Sequence, residues 1–285
     1  MKGKIKITVS PYSGFCFGVE RAIKIAKIAL SGKKRVFSLG PIIHNPEAVA
    51  DLSKKGLAVR KSLKGLDRNK DAILVPSHGA DPGLLKRLDL ESFDTTCPLV
   101  RRVQNIVRDL AGKGYFIVIV GKKDHPEVRS LTAIAGRNSV VVKDQKGARR
   151  VKTRGGKIAV ISQTTSRESD FRDVLKEISK KNFSELAAFN TVCDDSIKRQ
   201  RTAREIAKKV DAMLIIGGKA SSNTSRLACA SRALNKRTHH IESAGDLRKG
   251  MIRKAKKVGI AAGASTPPGA VKKTIEKIRR IEREW

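Results

Sequence analysis

The fold of this chain can be predicted outward from residues 93–104, which read Phe-Asp-Thr-Thr-Cys-Pro-Leu-Val-Arg-Arg-Val-Gln. Pro98 suits the first position of a helix, and apolar residues recur at helical spacing from Leu99 to Leu110. Cys97 therefore stands at a helix N-terminus, where unpaired N–H groups and the positive end of the helix dipole favour its thiolate. A thiolate in that place is a good metal ligand or nucleophile.

Two other cysteines, Cys16 and Cys193, stand in the same sequence context as Cys97. Each of the three precedes a helical pattern and then a short apolar run that predicts a strand. A glycine closes each strand 24 residues after the cysteine, and a polar residue follows 28 residues after it; the glycines are Gly40, Gly121 and Gly217, and the polar residues are His44, His125 and Ser221. Two shared offsets in three segments indicate an internal repeat.

A second strand in each repeat also ends in small polar residues. These strand ends read Ser77-His78-Gly79, Ser162-Gln163-Thr164-Thr165 and Gly263-Ala264-Ser265-Thr266. Strands that alternate with helices form parallel sheets, and such sheets bind ligands at the carboxyl ends of their strands. We therefore predict an α/β fold of three pseudo-symmetric units about an axis, with three cysteines and a ring of His, Thr, Ser and Asn around one central cavity.

The repeat divides the chain into three predicted domains. They are 1–95 with Cys16, His44 and His78, then 96–190 with Cys97, His125 and Thr164, and finally 191–285 with Cys193, Ser222, Ser265 and a charged C-terminal helix. An opening strand is expected over 5–9, in the first domain. A chain of 285 residues with 40% hydrophobic and 31% charged residues is long enough for such domains and has a globular composition.

Hydropathy and cysteine usage predict where the protein works. The apolar runs have the length of strands, and the first residues lack the apolar core of a signal peptide, so we expect no membrane span and a cytoplasmic location. Four cysteines spread over more than 200 residues are not typical of a disulfide framework. Cysteines near helix starts are then interpreted as metal ligands or catalytic thiols, whereas Cys229, inside an apolar helical segment, is expected to be a core thiol.

The formal net charge of +34 predicts a positive field that attracts phosphates, acidic proteins or nucleic acid. A lysine-rich, solvated surface is an equally simple explanation of the excess. Aromatic residues are only 4% of the chain, and it contains no RNP-type aromatic motif or zinc finger, so few side chains are available to stack on bases. A basic enzyme with an anionic substrate fits at least as well, and nucleic acid is not expected as the main partner. A nucleic-acid-binding protein with structural cysteines remains the alternative.

Three converging thiolates suit an iron-sulfur cluster. A structural zinc site needs four protein ligands, and no fourth cysteine stands at the repeated position. A cubane cluster on three cysteines leaves one iron open, which can act as a Lewis acid and electron donor to a bound substrate. The residues alone therefore predict an anion-binding metalloenzyme, either a reductase or a dehydratase.

Motifs in nearly every part of the chain resemble those of one enzyme family. They are Phe15-Cys16-x-Gly18-Val19-x-Arg21-Ala22-Ile23, His44-Asn45, Ser77-His78-Gly79, Asp94-x-Thr96-Cys97-Pro98-Leu99-Val100, His125-Pro126-Glu127-Val128, Gln163-Thr164-Thr165, Asn190-Thr191-x-Cys193, Arg199-Gln200, Ser221-Ser222-Asn223-Thr224 and Gly263-Ala264-Ser265-Thr266-Pro267. In kind and order they resemble the set found in the 4-hydroxy-3-methylbut-2-enyl diphosphate reductase family. The resemblance implies a trefoil of three α/β units around a 4Fe-4S cluster held by Cys16, Cys97 and Cys193.

The resemblance also implies a reaction and its partners. Family members remove the allylic hydroxyl of their diphosphate substrate with two electrons and two protons, and the products are isopentenyl and dimethylallyl diphosphate of the non-mevalonate route. The substrate hydroxyl is expected at the open iron. Reduced ferredoxin or flavodoxin is the expected electron donor, since the positive surface suits an acidic partner. A cluster-dependent hydratase is the alternative, and a requirement for electrons separates the two.

Site residues follow from the same resemblance. The diphosphate needs hydrogen-bond donors, which are expected from His44, His78, Ser221, Ser222, Asn223 and Ser265. His125 and Thr164 are expected near the hydroxyl end of the substrate. Spacing alone leaves Glu47, Asp124 and Glu127 as possible proton donors, and the resemblance selects Glu127. Taken singly, the histidines and Ser221 could instead be helix caps or turn residues.

Overall fold

Strands and helices alternate along the chain in this computed structural model, which describes residues 4–60, 62–153 and 155–285, without the side chains of 86–88. The strands are β1 (Lys6–Val9), β2 (Arg35–Leu39), β3 (Ala58–Arg60), β4 (Asp71–Val75), β5 (Glu91–Asp94), β6 (Phe116–Val120), β7 (Ser139–Val142), β8 (Lys157–Ser162), β9 (Glu185–Phe189), β10 (Ala212–Ile216), β11 (Thr238–Ile241) and β12 (Lys257–Ala262). The helices are α1 (Phe17–Leu30), α2 (Pro46–Ser53), α3 (Pro82–Leu88), α4 (Pro98–Gly112), α5 (Pro126–Ala135), α6 (Gln145–Arg149), α7 (Glu168–Ile178), α8 (Asp194–Ala207), α9 (Ser222–Arg232), α10 (Lys249–Ile252) and α11 (Pro268–Arg283), with a short 3₁₀ turn at Ala244–Asp246.

The strands form three parallel, four-stranded sheets with one shared topology. Their orders are β3-β2-β4-β5, β7-β6-β8-β9 and β11-β10-β12-β1. In every sheet the first strand after a cysteine helix lies inside, the second forms one edge, the third pairs on the other side of the first, and a fourth forms the far edge. The prediction of an α/β fold built from three repeated units is confirmed.

The opening strand belongs to a different sheet from the one the predicted domains imply. β1 pairs in parallel with β12, with Lys6 opposite Lys257, and so completes the sheet of the third repeat. The strand before each cysteine is the fourth strand of the preceding sheet, because β5 ends just before Cys97 and β9 just before Cys193. Counting from the cysteines could not reveal this pairing, since it joins the two ends of the chain.

The predicted boundaries at 95 and 190 follow the ends of β5 and β9 closely. The three-domain division stays a prediction with β1 reassigned, and its residues 1–3 lie outside the described part of the chain. Contacts group the chain into two compact units. One comprises the residues up to Glu20 together with Ile43–Asp51 and Asp194–Trp285, and holds the sheet that contains β1. The other comprises Arg21–Ile42 and Leu52–Cys193, and holds the other two sheets.

Helices cover both faces of the β6–β8 sheet and of the β10–β12 sheet, as buried parallel strands require. On the β6–β8 sheet, α4 and α5 pack one face with Val107, Leu110 and Leu131, while α7 packs the other with Phe171 and Val174. On the β10–β12 sheet, α11 covers one face and α8 with α9 the other. Among the described helices, none combines the length and the apolar character that crossing a membrane would need.

Cys229 contradicts one expectation from the sequence. It is exposed on α9 rather than buried in the core. The buried face of this helix is formed by Leu227, Ala228 and Ser231, which leaves Cys229 on the side turned to solvent. The apolar neighbours in the sequence indicated the helix but not which of its faces is covered.

Candidate functional site

The three repeated cysteines share one backbone environment. The backbone N–H of each donates to a carbonyl oxygen in the loop after the third strand of a sheet: Cys16 to Ala264 at 3.0 Å, Cys97 to Ser77 at 2.9 Å and Cys193 to Thr164 at 2.8 Å. Helices α1, α4 and α8 begin at the residue after each cysteine. All three thiols are partly buried and none is in a disulfide. The predicted position of the cysteines at helix starts is confirmed.

These hydrogen bonds align the polar loops, whose register the sequence left loose. Ala264, Ser77 and Thr164 are equivalent because each accepts from a cysteine N–H. The residues that follow them, Ser265, His78 and Thr165, are then equivalent as well. Each cysteine is therefore held beside a loop that carries predicted substrate-binding residues.

Glu127 and Thr164 form a buried pair at the carboxyl ends of β6 and β8. The backbone N–H of Thr164 donates to Glu127 Oε1 at 2.7 Å, and its hydroxyl donates to Oε2 at 2.8 Å. Glu127 is 2% exposed. Burial raises the pKa of Glu127 to about 7, against the opposing effect of the two hydrogen bonds from Thr164. A carboxyl group with this pKa can hold and release a proton near neutral pH.

The loop after β6 sets the orientation of His125. This residue caps α5, and its Nδ1 accepts the backbone N–H of Glu127 at 3.2 Å. The neutral ring then carries its proton on Nε2, which can donate to a ligand. The rings of His125 and His78 lie with their centroids 6.4 Å apart in an edge-to-face arrangement. His125 is thus a helix cap and also one of two neighbouring imidazoles.

The three carboxylates that spacing alone left as possible proton donors differ in their exposure to water. Asp124 is exposed in the loop before α5. Glu47 is also exposed and forms an ion pair with Lys273 at 3.4 Å. Of the three, only Glu127 is shielded from water. This supports its selection as proton donor.

The start of α9 presents the Ser-Ser-Asn sequence as a buried polar surface. Ser221 caps the helix, because its Oγ accepts the backbone N–H of Thr224 at 3.3 Å, and its own proton stays available. Ser222 and Asn223 are buried beside it. Asn223 Oδ1 accepts from the Ser196 hydroxyl at 3.3 Å, whereas its Nδ2 has no hydrogen-bond partner among the described residues. A buried donor without a partner is costly, so Nδ2 is suited to a ligand.

His44 and Ser265 lie together in the same unit. The Ser265 hydroxyl donates to the backbone carbonyl of His44 at 3.1 Å. Gly218 faces the same carbonyl so closely that a Cβ there would lie 2.8 Å from it. Burial lowers the pKa of His44, so a neutral imidazole is favoured. The helix-cap interpretation is wrong for His44, because Asn45 Oδ1 is the group that accepts the Ala48 N–H at the start of α2.

The structure therefore gathers the predicted residues into several local groups. One contains Glu127, Thr164, His125 and His78, and backbone hydrogen bonds tie it to Cys193 and Cys97. Others contain Ser221 with Ser222 and Asn223, and His44 with Ser265, whose loop is bonded to Cys16. In the described ranges, no three or more His, Cys, Asp or Glu side chains are arranged as a metal site. Ligation by the three cysteines stays a prediction.

Some buried polar residues around these groups were not predicted as site residues. Gln104 lies on the buried face of α4 and donates to Ser130 on α5 at 2.9 Å. Gln163 accepts the Lys122 N–H at 3.2 Å and donates to the Thr165 hydroxyl at 2.7 Å. Helical spacing was the available signal for Gln104, because it lies four residues after Val100 and one after Val103, both buried on the same helix.

Comparisons with known proteins agree with this geometry. The family model described as LytB protein matches residues 7–279. A 4-hydroxy-3-methylbut-2-enyl diphosphate reductase of Thermoanaerobacter sp. (strain X514) is 40% identical over 287 residues, which cover 98% of this chain and 99% of the relative. The reductase of the same name from Aquifex aeolicus (strain VF5) is 38% identical over 285 residues, 97% of each chain.

Two solved structures are also similar. A structure described as (E)-4-hydroxy-3-methyl-but-2-enyl diphosphate reductase, the terminal enzyme of the non-mevalonate pathway, is 35% identical, covers 97% of this chain and 100% of its own, and has a TM-score of 0.67. The E-1-hydroxy-2-methyl-but-2-enyl-4-diphosphate reductase of Plasmodium falciparum is 24% identical, covers 96% of this chain and 88% of its own, and has a TM-score of 0.90, which supports the fold. The chain therefore belongs to the LytB protein family, the 4-hydroxy-3-methylbut-2-enyl diphosphate reductases, and it is an enzyme of the oxidoreductase class.

Proposed function

We propose that this enzyme converts 4-hydroxy-3-methylbut-2-enyl diphosphate, two electrons and two protons into water and either isopentenyl or dimethylallyl diphosphate. The allylic C–O bond breaks, the hydroxyl leaves as water with one proton, and the second proton adds to carbon. One observation carries the proposal: Thr164 binds the buried Glu127 carboxyl with its N–H and hydroxyl, while its carbonyl accepts the N–H of Cys193. An acid with a pKa near 7 is thus joined through one residue to a predicted metal ligand.

The cysteines have the chemistry that a 4Fe-4S cluster requires. Cys16, Cys97 and Cys193 stand at helix N-termini, where thiolates are favoured, and Cys229 is exposed on a helix away from any such position. These three residues would hold the cluster, which supplies electrons and a Lewis-acidic iron for the substrate hydroxyl when it is bound.

Glu127 and Thr164 would deliver the proton. When Glu127 holds its proton, the carboxyl O–H donates across the 2.8 Å contact to the Thr164 hydroxyl oxygen, and the Thr164 hydroxyl can turn to donate its own proton to the substrate oxygen. A proton can then pass from the carboxyl group through the Thr164 hydroxyl to the leaving oxygen. Because burial keeps this carboxyl protonated up to about pH 7, the donor is loaded under ordinary conditions.

Neutral donors would bind the diphosphate. Asn223 Nδ2 is buried and has no hydrogen-bond partner within the described ranges, and the Ser221 hydroxyl, which accepts the Thr224 N–H, can donate its own proton. Ser222 lies buried next to them, and His78 and His44 add ring N–H groups. Ser265 differs from the others, since its proton is engaged by the His44 carbonyl and must be released before the hydroxyl can donate to phosphate. The substrate would thus be held by hydrogen bonds rather than by ion pairs.

The electron donor is proposed from charge. A net charge of +34 favours an acidic protein, and reduced ferredoxin or flavodoxin has that character. Electron-transfer rates should therefore fall as ionic strength rises over the range where the Debye length shortens from about 30 to 8 Å. A rate that does not change with salt would remove this partner assignment.

Anaerobic turnover tests the function directly. Protein purified without oxygen should be brown, with the broad visible absorbance of an iron-sulfur cluster, and should form both isoprenoid diphosphates when substrate and a reduced donor are added. The control omits the donor. Substrate that is consumed without electrons, to give a hydrated rather than a reduced product, would identify a hydratase, whereas a colourless protein with steeply salt-dependent RNA or DNA affinity would identify the nucleic-acid-binding alternative.

A further inference from the structure

Two of the three cysteine helices carry a glutamine at the same offset, buried in the case of Gln104 and partly buried in the case of Gln200. Gln104 and Gln200 each follow their cysteine by seven residues, whereas the equivalent position on α1 is the apolar Ile23. Each glutamine donates its side-chain N–H to a serine hydroxyl, Gln104 to Ser130 at 2.9 Å and Gln200 to Ser196 at 3.1 Å. The offset and the bond recur although the serines occupy different places. This points to a shared task on the two helices.

The first hydrogen-bond relay is Gln104–Ser130–Ala80, in which Ser130 joins Gln104 to the loop that carries His78. Ser130 Oγ donates to the Ala80 carbonyl at 2.9 Å, so its oxygen accepts from Gln104. The loop backbone rests on the relay, because a Cβ on Gly79 would lie 2.4 Å from Gln104 Nε2 and 3.5 Å from Ser130 Oγ. The other end of the loop is held by Ser77, whose carbonyl accepts from Cys97. His78 therefore lies in a short loop whose two ends are both held by hydrogen bonds.

The second relay is Gln200–Ser196–Asn223, in which Ser196 joins Gln200 directly to a predicted substrate ligand. Ser196 Oγ accepts from Gln200 and donates to Asn223 Oδ1 at 3.3 Å. Because Ser196 already accepts from Gln200, its own hydroxyl proton is directed to the Asn223 amide oxygen. The oxygen faces Ser196, and the NH₂ group, which has no partner in the described part of the chain, is left to bind a ligand.

We infer that Gln104 with Ser130, and Gln200 with Ser196, are positioning residues that orient His78 and Asn223 toward the diphosphate. The inference rests on the proposed function, since it takes His78 and Asn223 to be diphosphate ligands. A relay that orients a ligand present in both ground and transition states raises KM when broken and leaves kcat nearly unchanged. A relay that only holds the fold lowers the amount of active enzyme and leaves KM unchanged.

Four single variants test the two relays: Gln104→Leu, Ser130→Ala, Gln200→Leu and Ser196→Ala. Each should raise KM, and the inhibition constant of inorganic diphosphate, by roughly 5- to 30-fold with kcat within about 2-fold of wild type. Thr132→Val is the matched control, because its hydroxyl donates to the Val128 carbonyl of its own helix and, among the described residues, has no hydrogen bond to either relay. It should leave both constants unchanged.

Double variants separate positioning from a general loss of structure. Combined with His78→Ala, Ser130→Ala should raise KM no further, because the group it orients is already gone. Combined with Asn223→Ala, Ser196→Ala should behave in the same way. Additive effects on KM in these pairs would overturn the inference. If His78→Ala and Asn223→Ala themselves left KM unchanged, the diphosphate assignment of the proposed function would fail instead.

Imidazole resonances supply a readout that does not depend on turnover. The chain contains only five histidines, so their ¹⁵N signals can be assigned by single substitutions. Ser130→Ala should shift the His78 signals and change the response of this ring to added inorganic diphosphate. The signals of His239 and His240, on β11, should stay in place. An unchanged His78 spectrum in both Gln104→Leu and Ser130→Ala would refute the first relay.

Discussion

Replacing Glu127 with Gln tests the central acid of the proposed mechanism with little change of shape. Glutamine can accept the Thr164 backbone N–H at its Oε1, as Glu127 does, and can donate from Nε2 to the Thr164 hydroxyl, which rotates to accept. The hydrogen bonds of the pair are kept, and the transferable proton is lost. Turnover should fall by about 10²- to 10⁴-fold, which is the usual contribution of a general acid.

The raised pKa of Glu127 also predicts that the Glu127→Gln substitution changes how the free energy of unfolding depends on pH. A rise from 4.5 to about 7 is worth roughly 3 kcal/mol, and Glu127 is buried enough for this figure to need no large screening correction. The folded protein binds this proton more tightly than the unfolded chain does. The stabilisation is therefore fully present below pH 4.5 and is lost as the pH rises through 7.

Urea denaturation and steady-state kinetics measure the two signatures. Relative to the wild-type protein, Glu127→Gln should gain roughly 3 kcal/mol of unfolding free energy between pH 4.5 and pH values above 7, because all other titrating groups cancel in the difference. The wild-type kcat should fall as pH rises past about 7, where the acid is deprotonated. The variant should retain the visible spectrum of the cluster.

Asp124→Asn is the matched control for this experiment, because Asp124 lies three residues before Glu127, in the loop that precedes α5, and is exposed. It should leave kcat unchanged. Glu127→Gln enzyme that turns substrate over at the wild-type rate would refute the assignment of the proton donor. A stability difference that is flat with pH would refute the argument from burial.

Three further predictions address the cluster, the loop of His78 and the hydrogen bonds of the buried Arg199. Cys97→Ser should remove the visible absorbance and the turnover of anaerobically purified protein, whereas Cys229→Ser should retain both. Gly79→Ala should lower the free energy of unfolding by roughly 2–4 kcal/mol in urea titrations, because it adds a clash to an unfavourable φ of 79°; Gly65→Ala, at φ 77° with open space, should cost only about 1 kcal/mol. Arg199→Leu should cost about 3–5 kcal/mol in the same assay, because this buried guanidinium binds an aspartate and two backbone carbonyls, and a smaller loss would mean that solvent replaces those bonds.

The helices and central strands could be predicted from the sequence because their signals are local. Apolar spacing indicates a helix from Leu99 onward, and α4 covers Pro98–Gly112. The short apolar run after the Cys193 helix is the buried strand Ala212–Ile216 in the structure. Edge strands carry no such signal. β5 is the sequence Glu-Ser-Phe-Asp, largely exposed, and nothing in those four residues indicates pairing with β4.

Pairing between distant parts of the chain also escapes local patterns. β1 has a strand-like sequence, but its neighbour β12 lies at the opposite end of the chain. The raised pKa of Glu127 has the same origin, because it depends on burial by other elements, which outweighs the lowering effect of the hydrogen bonds from Thr164, 37 residues away. Spacing could therefore name Glu127 as one of three candidate acids but could not rank it above the exposed Asp124.

Helix capping and ligand binding, which the sequence offered as alternatives for His125 and Ser221, are compatible. A cap uses one acceptor atom: Nδ1 of His125 takes the Glu127 N–H, and Oγ of Ser221 takes the Thr224 N–H. Both side chains have a proton on the remaining valence, on Nε2 and on the hydroxyl, and capping fixes the direction in which it points. A cap at the carboxyl end of a parallel strand is therefore a donor already oriented for an anion.

The large positive charge of the protein does not come from the predicted diphosphate ligands. The predicted diphosphate ligands are imidazoles, hydroxyls and an amide, and burial disfavours the charged form of His44. A buried lysine at such a position would pay a desolvation cost that a neutral N–H or O–H avoids. The exposed lysines and arginines instead raise the rate at which anionic partners arrive, and salt screens that effect. Salt should therefore slow encounter with substrate or electron donor far more than it weakens the hydrogen bonds of the bound state.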